Sequence, residues 1–161
     1  MLRKGSSIVG ILVLSGLAGG CGHGKISVDQ EATRGVVEGV FEISAEWVKP
    51  KGDKYDIRLK LYNPSENGVI VQLHDLHCFR GTVSGELKHT FFNTGERTID
   101  LKPGETKKMN TVCRFSDQEP TGEFRVVAKR VYEDKDGEGK KLGKVIAKDV
   151  TWKMPDQEAT K

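Results

Sequence analysis

The stretch "LHDLHCFRG", residues 73–81, gathers the side chains of this sequence that are best suited to bind a metal ion. His74, His77 and Cys78 follow one another closely, and His89 comes later in the chain. Imidazole and thiolate groups are the ligands that suit zinc and copper. In an extended strand, however, residues 74 and 77 point to opposite faces. We therefore favour a disulfide beside two half-exposed histidines. The alternative is a metal site made by His74, His77 and His89, with or without the cysteines, which requires a break in the strand.

Sequence patterns typical of catalysis are missing elsewhere. The chain contains no G-x-S-x-G, no Ser-x-x-Lys and no glycine-rich phosphate loop. The segment "KDGEGKKLGK" at 135–144 has glycines and lysines, but it follows no strand-to-helix turn that would direct backbone amides at a phosphate. We therefore predict a protein that is not an enzyme and needs no cofactor, with a hydrolase of dispersed catalytic residues as a third alternative.

The amino terminus has the pattern of an export signal. Arg3 and Lys4 precede an apolar run over 8–17, and the small residues 18–20 follow that run. This run is shorter than the ~20 apolar residues that span a bilayer. Cys21 follows directly, and "LVLSGLAGGC" resembles the lipobox of bacterial lipoproteins.

This resemblance implies a diacylglyceryl group on the thiol of Cys21, cleavage just before it and acylation of the new amino group. Because Gly22 rather than aspartate comes next, it also implies sorting to the outer membrane. Two or more acyl chains make release from the membrane negligible. The alternative is secretion without lipidation.

The cysteine count supports the lipidation hypothesis. The chain has 3 cysteines, and an odd number in an exported protein calls for an explanation. If Cys21 carries lipid, Cys78 and Cys113 remain as a pair, for which a disulfide is the default in an oxidising compartment. Such a bond is expected to contribute about 3 to 4 kcal/mol.

Composition indicates one globular domain. The chain has 161 residues, of which 36% are hydrophobic and 30% charged, which suits a single core. Its 26 basic residues exceed its 23 acidic ones by a net charge of +3, and Arg3 and Lys4 account for most of that excess. The charge balance gives no reason to predict nucleic-acid binding.

Apolar residues recur at every second position from about residue 36 onward, which is the period of a β-strand. In "DKYDIRLKLY", 53–62, apolar and charged residues alternate without interruption. In 37–48 the alternation places Trp47 on the same face as Phe41, and near Asp75 the inward parity changes, which indicates a bulge or bend. The predicted strands cover 37–48, 53–62, 69–78, 85–92, 97–101, 106–115, 122–132 and 143–153.

These strands predict an all-β fold, an antiparallel immunoglobulin-like β-sandwich of seven to eight strands, with an up-and-down barrel as the alternative. The predicted organisation is a lipoprotein-type signal peptide over 1–20, a lipidated cysteine and flexible tether over 21–35, the sandwich over 36–154 and a polar tail over 155–161.

The segments "LYNPSENGVIVQL", "TIDLKPGETKKMNTVCRF" and "FRVVAKRVY" resemble immunoglobulin-like modules of bacterial envelope proteins. More loosely, they are similar to the late-embryogenesis-abundant type 2 (water-stress hypersensitive response) domain. The likeness covers about residues 40–132 and implies no functional residues. The sequence thus favours a lipid-anchored outer-membrane protein, facing the periplasm, that acts through contacts with an envelope protein. The alternative is a periplasmic lipoprotein that binds zinc or copper.

Overall fold

The computed structural model describes residues 24–28, 33–89, 97–116 and 121–155. Within these residues the chain forms eleven strands, paired antiparallel throughout. The strands are β1 (Ile26–Ser27), β2 (Gly35–Val37), β3 (Phe41–Lys51), β4 (Lys54–Tyr62), β5 (Val69–Gln72), β6 (Leu76–Arg80), β7 (Val83–His89), β8 (Thr98–Leu101), β9 (Thr106–Arg114), β10 (Phe124–Asp134) and β11 (Leu142–Lys153).

The predicted all-β, antiparallel, sandwich-like class is confirmed, but the predicted count of seven to eight strands was too low. Two short strands, β1 and β2, precede the first long one. The predicted strand over 69–78 is split in two by a 3₁₀ turn, Leu73–Asp75. This turn causes the change of parity that the sequence indicated near Asp75.

The strands form two layers that share one strand. In the first layer, β3, β4, β9 and β7 pair in that order. β1 and β2 pair with the edge of β3 that β4 leaves free. In the second layer, β10 pairs with β11 on one side and with β6 and β5 on the other, and β8 pairs with β5. Strand β7 belongs to both layers, because its first half pairs with β6 and its second half with β9.

The core lies between these two layers. Alternate residues of β4, from Tyr55 to Leu61, are buried and the residues between them are half-exposed. From the other layer, Phe124 stacks on Tyr55 with 4.3 Å between ring centroids, and Trp152 is fully buried. Period-two alternation therefore produces the two-layer core that antiparallel sheets with one wet face require.

A bulge in β3 reverses the predicted orientation of Trp47. Ala45 pairs with Leu59 and Trp47 with Arg58, so one extra residue of β3 is accommodated between the two pairs. Val48 becomes the inward residue, and Trp47 is half-exposed on the outer face. The sequence placed Trp47 in the core because its alternation assumed an unbroken strand.

The segment before β2 differs from the predicted flexible tether over 21–35. Ile26 pairs with Val48 and Ser27 with Trp47. Val28 is buried, being only 6% exposed. The indole Nε1 of Trp152 also donates a hydrogen bond to Thr33 Oγ1 at 3.0 Å. Strand pairing thus holds residues 26–27 against β3, which the polar composition of the segment did not indicate.

Candidate functional site

The three histidines of the alternative metal site lie in different places. His74 is on the 3₁₀ turn with a side chain that is 62% exposed. His77, in β6, stacks on Phe79 with 6.3 Å between ring centroids. His89 is at the end of β7, on the inner side of the strand. Among the described residues, no group of three His, Cys, Asp or Glu side chains is placed to hold a metal ion.

Asp75, which the sequence grouped with these histidines, has a structural contact instead. Its carboxylate is 3% exposed, and Oδ1 accepts hydrogen bonds from Arg130 Nε at 2.9 Å and Arg130 Nη2 at 2.7 Å. Burial and the nearby Asp75 carboxylate raise the pKa of Tyr132, so this hydroxyl stays protonated at neutral pH. These two hydrogen bonds from the Arg130 guanidinium hold the 3₁₀ turn against β10, at the point where the turn separates β5 from β6.

His89 is a half-buried titratable group of this region. It lies directly opposite Thr111 of β9, and neither His89 Nδ1 nor Thr111 Oγ1 has a hydrogen-bond partner within the described part of the chain. Burial lowers the pKa of His89, and a hydrogen bond to the backbone of Leu73 only partly opposes this effect. The folded state therefore favours the neutral imidazole.

We expect acidification to destabilise the protein through His89. Because its pKa is lower in the folded state than in the unfolded chain, the unfolded state takes up a proton first as the pH falls below about 6.5. Stability is therefore lost from that pH downward to the folded pKa. Urea unfolding of the wild type and of His89→Gln at pH 7.5 and pH 5.5 tests this, with the variant showing a smaller loss. His74→Gln is the matched control and should keep the wild-type loss; an unchanged loss in His89→Gln would contradict the assignment.

The predicted cysteine pair is joined in the structure. Cys78 of β6 and Cys113 of β9 form a disulfide, with 6.2 Å between their Cα atoms. Both residues are fully buried, and their bond passes over Gly85 of β7, the strand that lies between them. Because a disulfide sulfur is not a thiolate, these cysteines are unsuited as metal ligands or nucleophiles in this state. The bond agrees with the pairing that the odd number of cysteines predicted.

Cys21, the predicted lipidation site, lies outside the described residues. In the described part of the chain, no helix has the length and hydropathy needed to cross a membrane.

An open cleft of about 430 Å³ lies among the turns at one end of the sandwich. Its lining carries both signs of charge, with Glu66, Glu133 and Asp134 beside Lys102 and Lys135. Burial raises the pKa of Asp134, and a hydrogen bond with Asp136 adds to the effect. The Gly139 amide donates to Asp134 Oδ2 at 2.9 Å, so this carboxylate organises the β10–β11 hairpin.

The outer face of the first layer carries a concentration of positive charge. We call it the basic face and define it by the outward residues of β3, β4, β9 and the end of β7, together with Lys25. The basic side chains of this face outnumber the acidic ones. They are Lys25, Lys49, Lys51, Lys54, Arg58, Lys60, Lys88, Lys108 and Arg114, against Glu42, Glu46, Asp56 and Glu86.

Strand register places like charges opposite one another on this face. Lys54 of β4 lies between Lys51 of β3 and Arg114 of β9. Lys60 is opposite Lys108. Directly opposed like charges destabilise an antiparallel pair. The fold tolerates this arrangement at three cross-strand positions on one surface.

Glu46 partly offsets this repulsion. It sits in the β3 bulge, where its carboxylate contacts Lys108 Nζ and lies 3.0 Å from Arg58 Nε. The hydrogen bond from Lys108 lowers the pKa of Glu46, and Arg58 and Lys60 add to the effect by charge. Glu46 therefore stays ionised and neutralises one end of the basic face.

Sequence reasoning missed this surface. Lys107 and Lys108 are adjacent on β9 and point to opposite faces, and Lys107 Nζ lies 3.0 Å from Asp100 Oδ1. The available indication was the set of lysines and arginines at alternate positions within the separate strands. Only the register of β3, β4 and β9 brings those positions together.

The fold and this surface define an all-β antiparallel sandwich with a basic outer face. No family model, no curated protein and no solved structure matches the chain.

Proposed function

We propose that this chain is a lipid-anchored, non-enzymatic protein of the bacterial outer membrane, facing the periplasm, whose immunoglobulin-like sandwich acts through contacts with another envelope protein in assembly or maintenance. The observation that carries the proposal is the division of the three cysteines. Cys78 and Cys113 are fully buried in one disulfide, which suits an oxidising compartment. Cys21 is left over, at the end of the lipobox-like segment "LVLSGLAGGC".

The position of the first strand also supports an anchor near residue 21. Ile26 and Ser27 pair with β3, and Val28 is buried. An acyl chain on Cys21 would therefore be attached close to the folded sandwich, and the sandwich would be held beside the membrane surface. Such a position suits a protein that meets partners at that surface.

Metabolic labelling with a palmitate analogue tests the anchor. In cells that express the full chain, we expect label on the protein and its recovery in the membrane fraction, because two or more acyl chains hold it there. Cys21→Ser should lose the label. The double variant Cys78→Ala/Cys113→Ala is the matched control, since it alters two other cysteines and should keep the label.

An unlabelled wild-type protein that osmotic shock releases in soluble form would overturn the proposed anchor. Label that persists in Cys21→Ser would show that the lipid is attached elsewhere.

A further inference from the structure

We propose that the basic face binds an anionic lipid surface, so that the sandwich lies on the membrane with β3, β4 and β9 toward the lipid headgroups. The inference rests on the proposed anchor for its choice of partner, and on the fold for the surface itself.

The first argument is electrostatic. Lys54 lies opposite two like charges, Lys51 and Arg114. Asp56 contacts Lys51 and Glu86 lies opposite Arg114, which offsets part of this charge, but basic side chains still outnumber acidic ones on the face as a whole. An anionic surface relieves such repulsion, because complementary potentials draw the two surfaces together. The phosphates of acidic lipids supply that potential over an area as wide as a sheet.

The second layer also opposes like charges, with Arg125 opposite Lys153 and Arg130 opposite Lys148. On its outer face Lys129 contacts Asp149 at 2.8 Å, and Lys153 contacts Glu123 at 3.2 Å. These cations already have acidic partners within the chain. Ion pairs occur on the basic face as well, where Lys51 contacts Asp56 and Lys88 contacts Glu86. The basic face is therefore selected by its net excess of basic side chains and by its position beside Lys25.

The third argument is the short length of chain between Cys21 and the basic face. Lys25 is four positions from Cys21, and four residues span at most about 14 Å. Lys25 Nζ lies over the ring of Trp47, 4.4 Å from its centroid, at the β3 side of the basic face. Neighbouring strands are about 4.8 Å apart, so Arg114 on β9 lies roughly 10 Å from β3. A lipid on Cys21 would thus hold the whole face within reach of the headgroups.

Trp47 gives this surface an amphipathic anchor. It is half-exposed because of the β3 bulge, and Lys25 covers its ring. Tryptophan favours the boundary between apolar and aqueous phases, since its ring is apolar while its N–H seeks a polar partner. Lys25 and Trp47 together therefore suit the headgroup region beside an attached acyl chain.

Vesicle binding by a chain without lipid tests the proposal independently of the anchor. Residues 22–161 retain the complete core of the described structure, whose members all lie between Val28 and Met154. We expect this chain to bind vesicles that contain phosphatidylglycerol and phosphatidylcholine at low salt, and not vesicles of phosphatidylcholine alone. Binding should weaken as salt screens the charges. Fluorescence should report contact through Trp47, because Trp152 is fully buried.

A triple variant on the face and a matched triple variant elsewhere locate the contact. Lys25→Gln/Lys54→Gln/Arg114→Gln should weaken binding on the order of 100-fold, since each basic residue near an anionic surface contributes roughly fivefold. Lys135→Gln/Lys141→Gln/Lys144→Gln removes the same charge from the β10–β11 hairpin and should retain binding within a few fold. Urea unfolding of the first variant should show no loss of stability, because Lys54 and Arg114 repel each other.

Three results would overturn the proposal: no binding to phosphatidylglycerol vesicles, equal weakening by the two triple variants, or binding to a soluble anionic polysaccharide without binding to vesicles. The last would assign the face to a different class of partner. Because residues 22–161 lack Cys21, a negative vesicle result would leave the palmitate result intact. A negative palmitate result would likewise leave the vesicle result intact.

Discussion

Removing the disulfide by Cys78→Ala/Cys113→Ala is expected to lower the free energy of unfolding by about 4 kcal/mol. The two residues are 35 positions apart, and a cross-link that closes a loop of this length restricts the unfolded chain strongly. Urea unfolding of the oxidised wild type and of the double variant measures the difference. The midpoint should fall markedly while both proteins keep the same circular dichroism before the transition.

Reduction of the wild type supplies the control for this measurement. Both cysteines are fully buried, so a reductant should act only once the chain unfolds. Wild type unfolded and refolded under reductant should match the double variant, and the reductant should leave that variant unchanged. A difference of less than about 1 kcal/mol between oxidised wild type and double variant would contradict the proposed contribution of the cross-link.

Gly85→Ala is expected to lower the free energy of unfolding by about 1 to 3 kcal/mol through overpacking. A Cβ atom at this position would lie 2.6 Å from Cys113 Sγ, 2.9 Å from Phe115 Cε1 and 3.0 Å from Cys78 Sγ. Phe115 is fully buried, and so are both sulfurs. None of these atoms can move away without disturbing the core, and the disulfide fixes two of them.

The matched control for Gly85→Ala is Gly24→Ala. A Cβ on Gly24 meets nothing within 4 Å, so this substitution should leave stability unchanged. The double cysteine variant provides a second comparison, because it removes both sulfur contacts. Gly85→Ala should cost less in that background than in the wild type, and the difference measures the coupling. An equal cost in both backgrounds would show that the disulfide is not the obstacle.

The strand positions could be predicted because side-chain alternation is a local property. In β4, Tyr55, Ile57, Leu59 and Leu61 are buried as their spacing requires. The residues of "NPSENG" favour a turn for the same local reason, and there the backbone N–H of Ser65 donates to Asn63 Oδ1 at 2.9 Å. The same asparagine also donates from Nδ2 to the carbonyl of Leu101 at 3.0 Å. That second bond joins residues 38 positions apart, and no local pattern indicates it.

The predictions that failed depend on pairing between distant segments. A bulge against β4 turns Trp47 outward, and pairing with β3 makes Ile26–Ser27 a strand where composition predicted a tether. Each outcome depends on a partner strand that the local sequence does not specify.

The sequence by itself determined the alternation of buried and exposed side chains within unbroken strands such as β4, and where the chain turns. Those properties follow from the two-residue period of a strand and from the backbone preferences of turn residues. Only the tertiary structure decided the strand register, and with it the course of β7 through both layers and the opposition of Lys54 to Lys51 and Arg114. Register is set by contacts across the whole domain, so charges that are scattered along the chain become one basic face only when the strands pair.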